Sequence, residues 1–226
     1  MNNQSIVGWA HSPFGKLPDP DIESLIERVA RPAIEDAGID PQEIDAVFVG
    51  TFNSGFSKQD FASSLAMQSV PELRFKPAMR CENACASGSA ALFAARAFLA
   101  ATGSRFALVI GAEKMTASSG PETANNLLGA SYRREEGGTP GGFAGVFGRI
   151  AQIYFQRYGD QSDALARIAA KNHRNGVDNP YAQLRKDVGF EFCRTVSEKN
   201  PLVASPLRDR SRLTSPNPWV ASSRLC

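Results

Sequence analysis

One cysteine stands where a predicted strand turns directly into a predicted helix. The stretch CENACASGSAAL (81–92) places Cys85 just before an almost uniformly apolar run, with only small residues between. A tight turn holds a sulfur clear of the backbone, and the unpaired N–H groups and positive dipole of a helix start favour the attacking thiolate. The same N–H groups can stabilise the oxyanion that forms when a thioester is attacked. Cys85 is therefore a candidate nucleophile, and a buried, inert cysteine is the alternative.

The other residues that could do chemistry do not form a second recognisable site. Cys81 precedes Cys85 by four positions and is predicted to lie in the core, because C-x-x-x-C is neither a redox nor a zinc spacing. The chain has two histidines, His11 in an N-terminal turn and His173 in a predicted helix, so we expect no metal site. Glu113 and Lys114 are predicted to be turn and ion-pair residues rather than catalysts.

Strands that alternate with helices must position Cys85. Strands are predicted at residues 5–10, 44–50, 75–81 and 105–115, and helices at 21–38, 60–69, directly after Cys85, at 147–158 and at 163–175. Helical spacing of apolar residues and a stop at Gly38 define the first helix. The alternation indicates βαβ units and a largely parallel sheet. Residues 116–145 are rich in Gly, Ser, Thr, Asn and Pro and are predicted to be mainly irregular.

The helix after Cys85 is unusual because it has no polar face. From Ala90 to Ala101 its only charged residue is Arg96. A surface helix normally keeps a polar side, so this helix is predicted to be surrounded by protein on nearly all sides. Its large side chains spread around the helix axis, and a single βαβ unit can cover only one side of it.

Bulk composition bounds the class of protein. Of 226 residues, 42% are hydrophobic and 21% charged, and 25 Lys and Arg against 23 Asp and Glu leave a net charge of +2. This composition predicts a soluble globular protein and gives no electrostatic case for nucleic-acid binding. Charge is expected to interrupt every apolar stretch before membrane-spanning length, and no secretory signal is visible. We therefore expect reduced cysteines, a cytoplasmic protein and no membrane insertion.

Five ordered stretches resemble the thiolase family. NACASGSAAL resembles its nucleophile motif, most closely in the branch of the sterol-carrier-protein-2 thiolases. The other four are SPFGK (12–16), VIGAEKMT (109–116), the segment 154–183 with its Lys–Asn–His and Asn–Pro–Tyr–Ala–Gln signatures, and NPLVASPLR (200–208). The resemblance extends over about residues 4–208.

The resemblance implies a fold and a domain plan. The fold would be α/β and thiolase-like, a βαβαβαββ unit of the five-layer α-β-α-β-α arrangement, with the second half absent. Residues 1–115 would be the N-terminal core half, 116–200 a loop domain covering the acyl-CoA site, and 201–208 the return to the core. Residues 209–226 depart from the family and are expected to be a disordered or out-of-frame tail.

The resemblance also implies an activity, an acyl-CoA C-acyltransferase of lipid metabolism. Cys85 would form an acyl-cysteine and pass the acyl group to a second thioester or to CoA, and its backbone N–H would help to form an oxyanion hole. Coenzyme A would be a substrate, with no permanently bound cofactor, and Asn83 would lie near the contact of a homodimer or tetramer.

Three family motifs that supply the base and a second cysteine do not occur here: Asn–Glu–Ala–Phe or its variant, Gly–His–Pro, and Cys–x–Gly. We therefore expect a truncated chain with little turnover. The alternatives are a non-catalytic pseudoenzyme or fragment that binds acyl-CoA or a partner chain, a hydrolase that uses Cys85, and a ketoacyl synthase.

Overall fold

Three parallel strands form the sheet that positions the candidate nucleophile. In this computed structural model, which describes residues 4–53 and 55–202, the central strand is β1 (Ala46–Gly50). It lies between β2 (Ala78–Cys81) and β3 (Ala107–Gly111), and both neighbours run parallel to it. Gly50 pairs with Cys81 on one side and with Gly111 on the other, so the three carboxyl ends lie level.

The described helices are eight in number: α1 (Ile22–Ala37), α2 (Ala66–Ser69), α3 (Ser87–Thr102), α4 (Gly120–Leu127), α5 (Arg133–Glu136), α6 (Gly142–Tyr158), α7 (Ser162–Gly176) and α8 (Gly189–Arg194). Short 3-10 turns join several of them. The first helix has the ends that its sequence predicts. Asp21 accepts a hydrogen bond from the Ser24 amide at 2.9 Å, and Gly38 ends the helix in the left-handed conformation at φ +64.

The chain divides into two compact units. One contains the sheet and comprises the residues up to Ser12 together with Lys16–Asn126, and the other comprises Pro13–Gly15 and the residues from Leu127 onward. Cys85 and the strands belong to the first unit. The predicted boundary at residue 115 precedes this division, and the role of a site cover for residues 116–200 stays a prediction.

The central strand separates two layers of core. Its five residues are all buried, and alternate side chains face opposite sides of the sheet. Val47 and Val49 pack with α1 and α2, whereas Ala46 and Phe48 pack with α3. This arrangement explains why β1 reads as a continuous apolar run: both faces of a parallel sheet are covered by helices.

Among the residues that the structure describes, the apolar helix α3 is covered on one side only. Ala91 and Ala95 are buried against the sheet, and the Phe98 ring packs on Phe48 with 5.8 Å between ring centroids. In contrast, Leu92 is 40% exposed and Phe93 is 68% exposed. The prediction that a single βαβ unit covers one side of this helix is confirmed, and the wrapping on nearly all sides is not seen among the described residues.

One described segment, Ala84–Thr102, is long and apolar enough to cross a membrane by length and composition, and 17% of it is buried. The expectation that charge interrupts every apolar stretch is therefore wrong, because Arg96 is a single charge within this span. The observed partner of the helix is the sheet: small side chains on one face of α3 lie against β1 and β3.

The predicted strand at 5–10 is also wrong. This segment forms no regular element but runs against α1, where the Trp9 amide donates a hydrogen bond to Asp36 at 2.8 Å. A Cβ on Gly8 would lie 2.4 Å from the carbonyl oxygen of Ala33, so the backbone touches the helix directly. Ile6 is 77% exposed, and the segment has no covered face of the kind a strand requires.

Other differences concern element bounds. The helix predicted at 60–69 is a 3-10 turn, Ala62–Leu65, followed by the four-residue α2. Residues 116–145 contain α4 and α5 and the start of α6. A capping box that was not recognised begins α4: the Ser119 amide and hydroxyl both donate to the carboxylate of Glu122. The short α8 was not predicted. The tail at 209–226 and most of the return segment at 201–208 lie outside the described residues.

Candidate functional site

The candidate nucleophile lies at the carboxyl edge of the sheet. Strand β2 ends at Cys81, a 3-10 turn spans Ala84–Ala86, and α3 begins at Ser87. Cys85 is in the middle of this turn and is exposed. The carboxyl edge of a parallel sheet is where ligands of α/β proteins commonly bind. The structure therefore confirms the predicted strand–cysteine–helix arrangement and the exposure that a nucleophile needs.

Hydrogen bonds within the turn hold its shape. The Ser87 hydroxyl accepts from the Asn83 amide at 2.9 Å and donates to the Ala84 carbonyl at 2.7 Å. The Ala86 amide donates to the Asn83 carbonyl at 2.9 Å. Ala84 has a φ of +47, in the left-handed region that costs a non-glycine residue about 1–2 kcal/mol. The residue before Cys85 is thus held in an unfavourable conformation by the bonds around it.

The first turn of α3, which directly follows this 3-10 turn, lies against the end of the central strand. A Cβ on Gly50 would lie 2.5 Å from the carbonyl oxygen of Ser87 and 2.8 Å from the amide nitrogen of Gly88. These distances are shorter than van der Waals contact, so only a glycine lets the first turn of α3 approach β1 this closely. At the paired position Gly111, an added Cβ would meet nothing within 4 Å.

Glu113 joins the loops that follow β1 and β3. One carboxylate oxygen, Oε2, accepts from the Thr51 hydroxyl at 2.9 Å and from the Asn53 amide at 2.8 Å. The other oxygen, Oε1, is buried and has no hydrogen-bond partner among the described residues. Glu113 therefore lies in the irregular segment after β3, where no turn is assigned. Its partners in the described part of the chain are a hydroxyl and an amide, and the predicted ion pair is not among its interactions there.

The four remaining predicted residues lie in four different places. Lys114 is buried, and its Nζ donates to the Leu17 carbonyl at 2.9 Å. His11 is exposed in the N-terminal segment, and its ring hydrogen-bonds the Ser12 carbonyl. His173 is buried in the last turn of α7, in the other compact unit from Cys85. Asn83 is exposed beside the nucleophile turn, and its predicted place near a dimer contact stays a prediction.

The cysteines differ in accessibility. Burial raises the pKa of the Cys81 thiol above its usual range. Burial also raises the pKa of Cys193, to which the nearby Asp187 carboxylate adds a smaller effect in the same direction. A raised pKa leaves less thiolate at neutral pH, so both thiols are poor nucleophiles. Cys85 is the exposed thiol among the cysteines that the structure describes, and Cys226 lies outside that part.

No group of three or more His, Cys, Asp or Glu side chains within the described ranges could hold a metal ion. The arrangement that is present suits covalent chemistry. An exposed thiol sits in the 3-10 turn directly before a 16-residue helix; the Ser87 amide at the helix start donates to the Ala84 carbonyl, and the N–H groups of the rest of the first turn have no intrahelical acceptor. Such N–H groups can donate to an oxyanion on a carbon that the thiol attacks.

Sequence reasoning did not find three residues that shape this site. Gly50 appeared only as the end of a strand, Ser87 only as a small residue, and Glu113 only as part of a turn. The serine three residues after Ala84 at a helix start was a usable signal for a capping interaction. The approach of Gly50 to α3 and the bonds from Glu113 to the β1 loop depend on strand order, which no local pattern encodes.

Comparison with known proteins places this geometry in a family. The family model "Thiolase, N-terminal domain" matches residues 5–199. An acetyl-CoA acetyltransferase of Methanocaldococcus jannaschii is 34% identical over 209 residues, which cover 92% of this chain and 52% of that protein. That of Methanothermobacter thermautotrophicus is 32% identical over 209 residues, covering 92% and 53%. Sterol carrier protein 2 of Bos taurus is 26% identical over 207 residues, covering 86% and 37%.

The chain spans about half the length of the two archaeal relatives. Both kinds of relative agree with the resemblance drawn from the five motifs. The parallel sheet with helices on both faces, built from alternating strands and helices, agrees with a thiolase-like α/β fold. Because the family model covers most of its 226 residues, this chain belongs to the thiolase family.

Proposed function

We propose that this chain carries the acylation half of a thiolase-type acyl-CoA C-acyltransferase. The exposed Cys85 thiol loses its proton to water, and Sγ attacks the carbonyl carbon of an acyl-CoA thioester. The bond from that carbon to the CoA sulfur then breaks, and the departing CoA thiolate takes up a proton. The acyl-cysteine passes its acyl group to the α-carbon of a second thioester, which gives up a proton, and Sγ leaves as the thiolate. In the reverse direction Sγ attacks the 3-oxo carbon of a 3-oxoacyl-CoA, the bond from that carbon to the α-carbon breaks, the α-carbon takes up a proton, and the acyl group passes to the sulfur of CoA.

The observation that carries the proposal is the exposure of Cys85 between β2 and α3. Its neighbours in the turn are small, so a thioester carbonyl can approach the sulfur. The proposed donors to the oxyanion of the tetrahedral intermediate are the Cys85 backbone N–H and first-turn N–H groups of α3 beyond Ser87, whose own N–H donates to the Ala84 carbonyl. By contrast, Cys81 and Cys193 are buried.

The names of the relatives support the substrate class. Two archaeal relatives are acetyl-CoA acetyltransferases, and a protein of Thauera aromatica that is 26% identical over 203 residues is a benzoylsuccinyl-CoA thiolase subunit. We therefore propose acyl-CoA and CoA as substrates, with CoA used and released rather than permanently bound. A homodimer or tetramer is proposed from the family resemblance alone.

Mass spectrometry of the intact protein tests the acylation step. After incubation with acetyl-CoA or acetoacetyl-CoA, we expect one added acetyl group, mapped to Cys85 in a peptide digest. The Cys85→Ser variant should gain none, whereas Cys193→Ser should behave as the wild type. Cys226→Ser serves as the background for all measurements, because this thiol lies outside the described residues.

Alkylation with iodoacetamide provides the accessibility control. Cys85 should react before Cys81 and Cys193 at neutral pH, because the other two are buried and their pKa values are raised. If Cys193 reacts first in the native protein, the assignment of Cys85 as the reactive thiol is wrong. If Cys85 alkylates readily but never acquires an acyl group while acyl-CoA still binds, the non-catalytic alternative replaces this proposal.

A further inference from the structure

We infer that Glu113 is a positioning residue for acyl transfer at Cys85, a role that rests on the proposed function. It acts through the loop after β1, which it ties to the loop after β3 at the same edge of the sheet that carries the nucleophile turn. Nothing in the motif resemblance assigns this role to Glu113. The inference follows from its hydrogen bonds and from what the tied loop supports.

The first link is the pair of bonds from one carboxylate oxygen. Oε2 of Glu113 accepts from the hydroxyl of Thr51 and the amide of Asn53, at 2.9 and 2.8 Å. Thr51 is only 1% exposed, so this contact is shielded from water. Asn53 has a φ of +53, which means that the loop leaves its strand through an unfavourable left-handed residue. A charged acceptor with two donors keeps the loop in this shape.

The second link runs from this loop to the nucleophile turn. The Thr51 amide donates to the Cys81 carbonyl at 3.2 Å, which extends the β1–β2 ladder past the last paired residues. Cys81 is the last residue of β2, and only Glu82 and Asn83 separate it from the turn that holds Cys85. Gly50, the neighbour of Thr51, is the residue on which the first turn of α3 is seated. A displacement of Thr51 therefore also displaces Cys81, which precedes the nucleophile turn (Ala84–Ala86), and the first turn of α3, which follows it.

The third observation is the unused oxygen of Glu113. Oε1 is buried and lacks a hydrogen-bond partner within the described residues, a state that proteins tolerate rarely. The two hydrogen bonds that position the loop after β1 both end on Oε2, so they require only one oxygen acceptor at that place. A glutamine can supply that acceptor with its amide oxygen, whereas an alanine cannot. The Glu113→Gln variant therefore separates the loss of charge from the loss of position.

Two rate constants measured on the full chain test the inference. The first is acylation of Cys85 by acetyl-CoA, which requires the sulfur and the oxyanion donors to be placed together. The second is alkylation of Cys85 by iodoacetamide, which requires only an accessible thiol. A residue that merely stabilises the fold would change neither constant in the folded protein, so the ratio of the two reports position.

We expect Glu113→Ala to lower the acylation rate constant by about tenfold or more, because small misplacements of reacting groups have large effects. Its alkylation rate constant should be unchanged, and Glu113→Gln should restore acylation to near the wild-type value. Thr51→Val removes one of the two bonds and should give a smaller loss. The double variant should lose less than the sum of the two single changes, because they share a bond.

Each contrary outcome has a definite meaning. If the wild type is not acylated, the proposed function fails. If the wild type is acylated and Glu113→Ala keeps its rate, the inference about Glu113 is overturned while the proposed function stands. An equal fall in both rate constants would show reduced access to the thiol rather than altered position, and newly reactive Cys81 and Cys193 would show partial unfolding; either result overturns the inference as well. Should Glu113→Ala not fold, Thr51→Val decides: wild-type acylation by that variant overturns the inference.

Discussion

Replacing Gly50 by alanine tests how closely the nucleophile turn must approach the sheet. The added Cβ would lie 2.5 Å from the Ser87 carbonyl oxygen, 2.7 Å from the Ser87 carbonyl carbon and 2.8 Å from the Gly88 amide nitrogen. All three atoms belong to backbone, so no flexible side chain can move out of the way. The strand and the first turn of α3 must separate.

The size of the displacement follows from contact distances. Carbon atoms rest at about 3.5–4.0 Å from each other, so the turn must move by about 1 Å. Overpacking of this kind typically costs about 1–3 kcal/mol of stability. Misplacing a reacting group by about 1 Å can lower a rate by about a hundredfold. We therefore expect a modest loss of stability and a much larger loss of acyl transfer to Cys85.

The assay pairs thermal unfolding with acylation of Cys85 by acetyl-CoA. Gly111→Ala is the matched control, because Gly111 pairs with Gly50 in the sheet and an added Cβ there meets nothing within 4 Å. Both variants make the same chemical change at the same level of neighbouring strands. The control should acylate like the wild type and unfold at a similar temperature.

Equal behaviour of the two variants would refute the reasoning. If Gly50→Ala acylates at the rate of Gly111→Ala, the close approach of β1 to α3 does not position the nucleophile. If both lose activity together, glycine matters at the sheet edge for a reason other than contact with Ser87.

Two further predictions concern stability and solubility. The Phe106 amide, and to a smaller extent the Arg105 amide, donates to the Asp45 carboxylate and holds its pKa below the usual range. Asp45 therefore stabilises the fold at pH values above its pKa in the unfolded chain. This contribution disappears as the pH falls through the lowered pKa of the folded state. Asp45→Asn should therefore lower the free energy of unfolding at pH 7 by about 1 kcal/mol. In urea unfolding at a series of pH values, its free energy of unfolding should fall less steeply towards acid pH than that of the wild type, and an equal slope would contradict this. Phe93 is 68% exposed on α3, so Phe93→Ser should reduce ANS binding and self-association in size-exclusion chromatography without loss of stability. The matched Phe98→Ser removes a ring packed on the sheet and should destabilise the protein, and the reverse ranking would overturn the assigned faces.

Local patterns were sufficient for the elements around the site. The apolar run before Gly50, the turn that contains Cys85 and the apolar helix after it were all predictable from residue type and spacing. The stop of α1 at Gly38 was predictable because a left-handed residue is needed there and glycine adopts it readily. These features depend on neighbours within a few positions along the chain. The exception was residues 5–10, a short, mostly apolar segment whose composition fits a strand as well as an irregular segment against α1.

The sequence by itself thus determined that a cysteine would stand at a strand-to-helix turn and that the following helix would have no polar face. Only the tertiary structure decided which residues of other elements lie against that turn. The order β2-β1-β3 brings Gly50 beneath Ser87 and carries Glu113 to Thr51, a residue 62 positions away in the chain. The one-sided cover of α3 was likewise decided by which strands lie against it. Contacts of this kind depend on sheet order and register, and these are set by the packing of the whole core and not by any local pattern of residues.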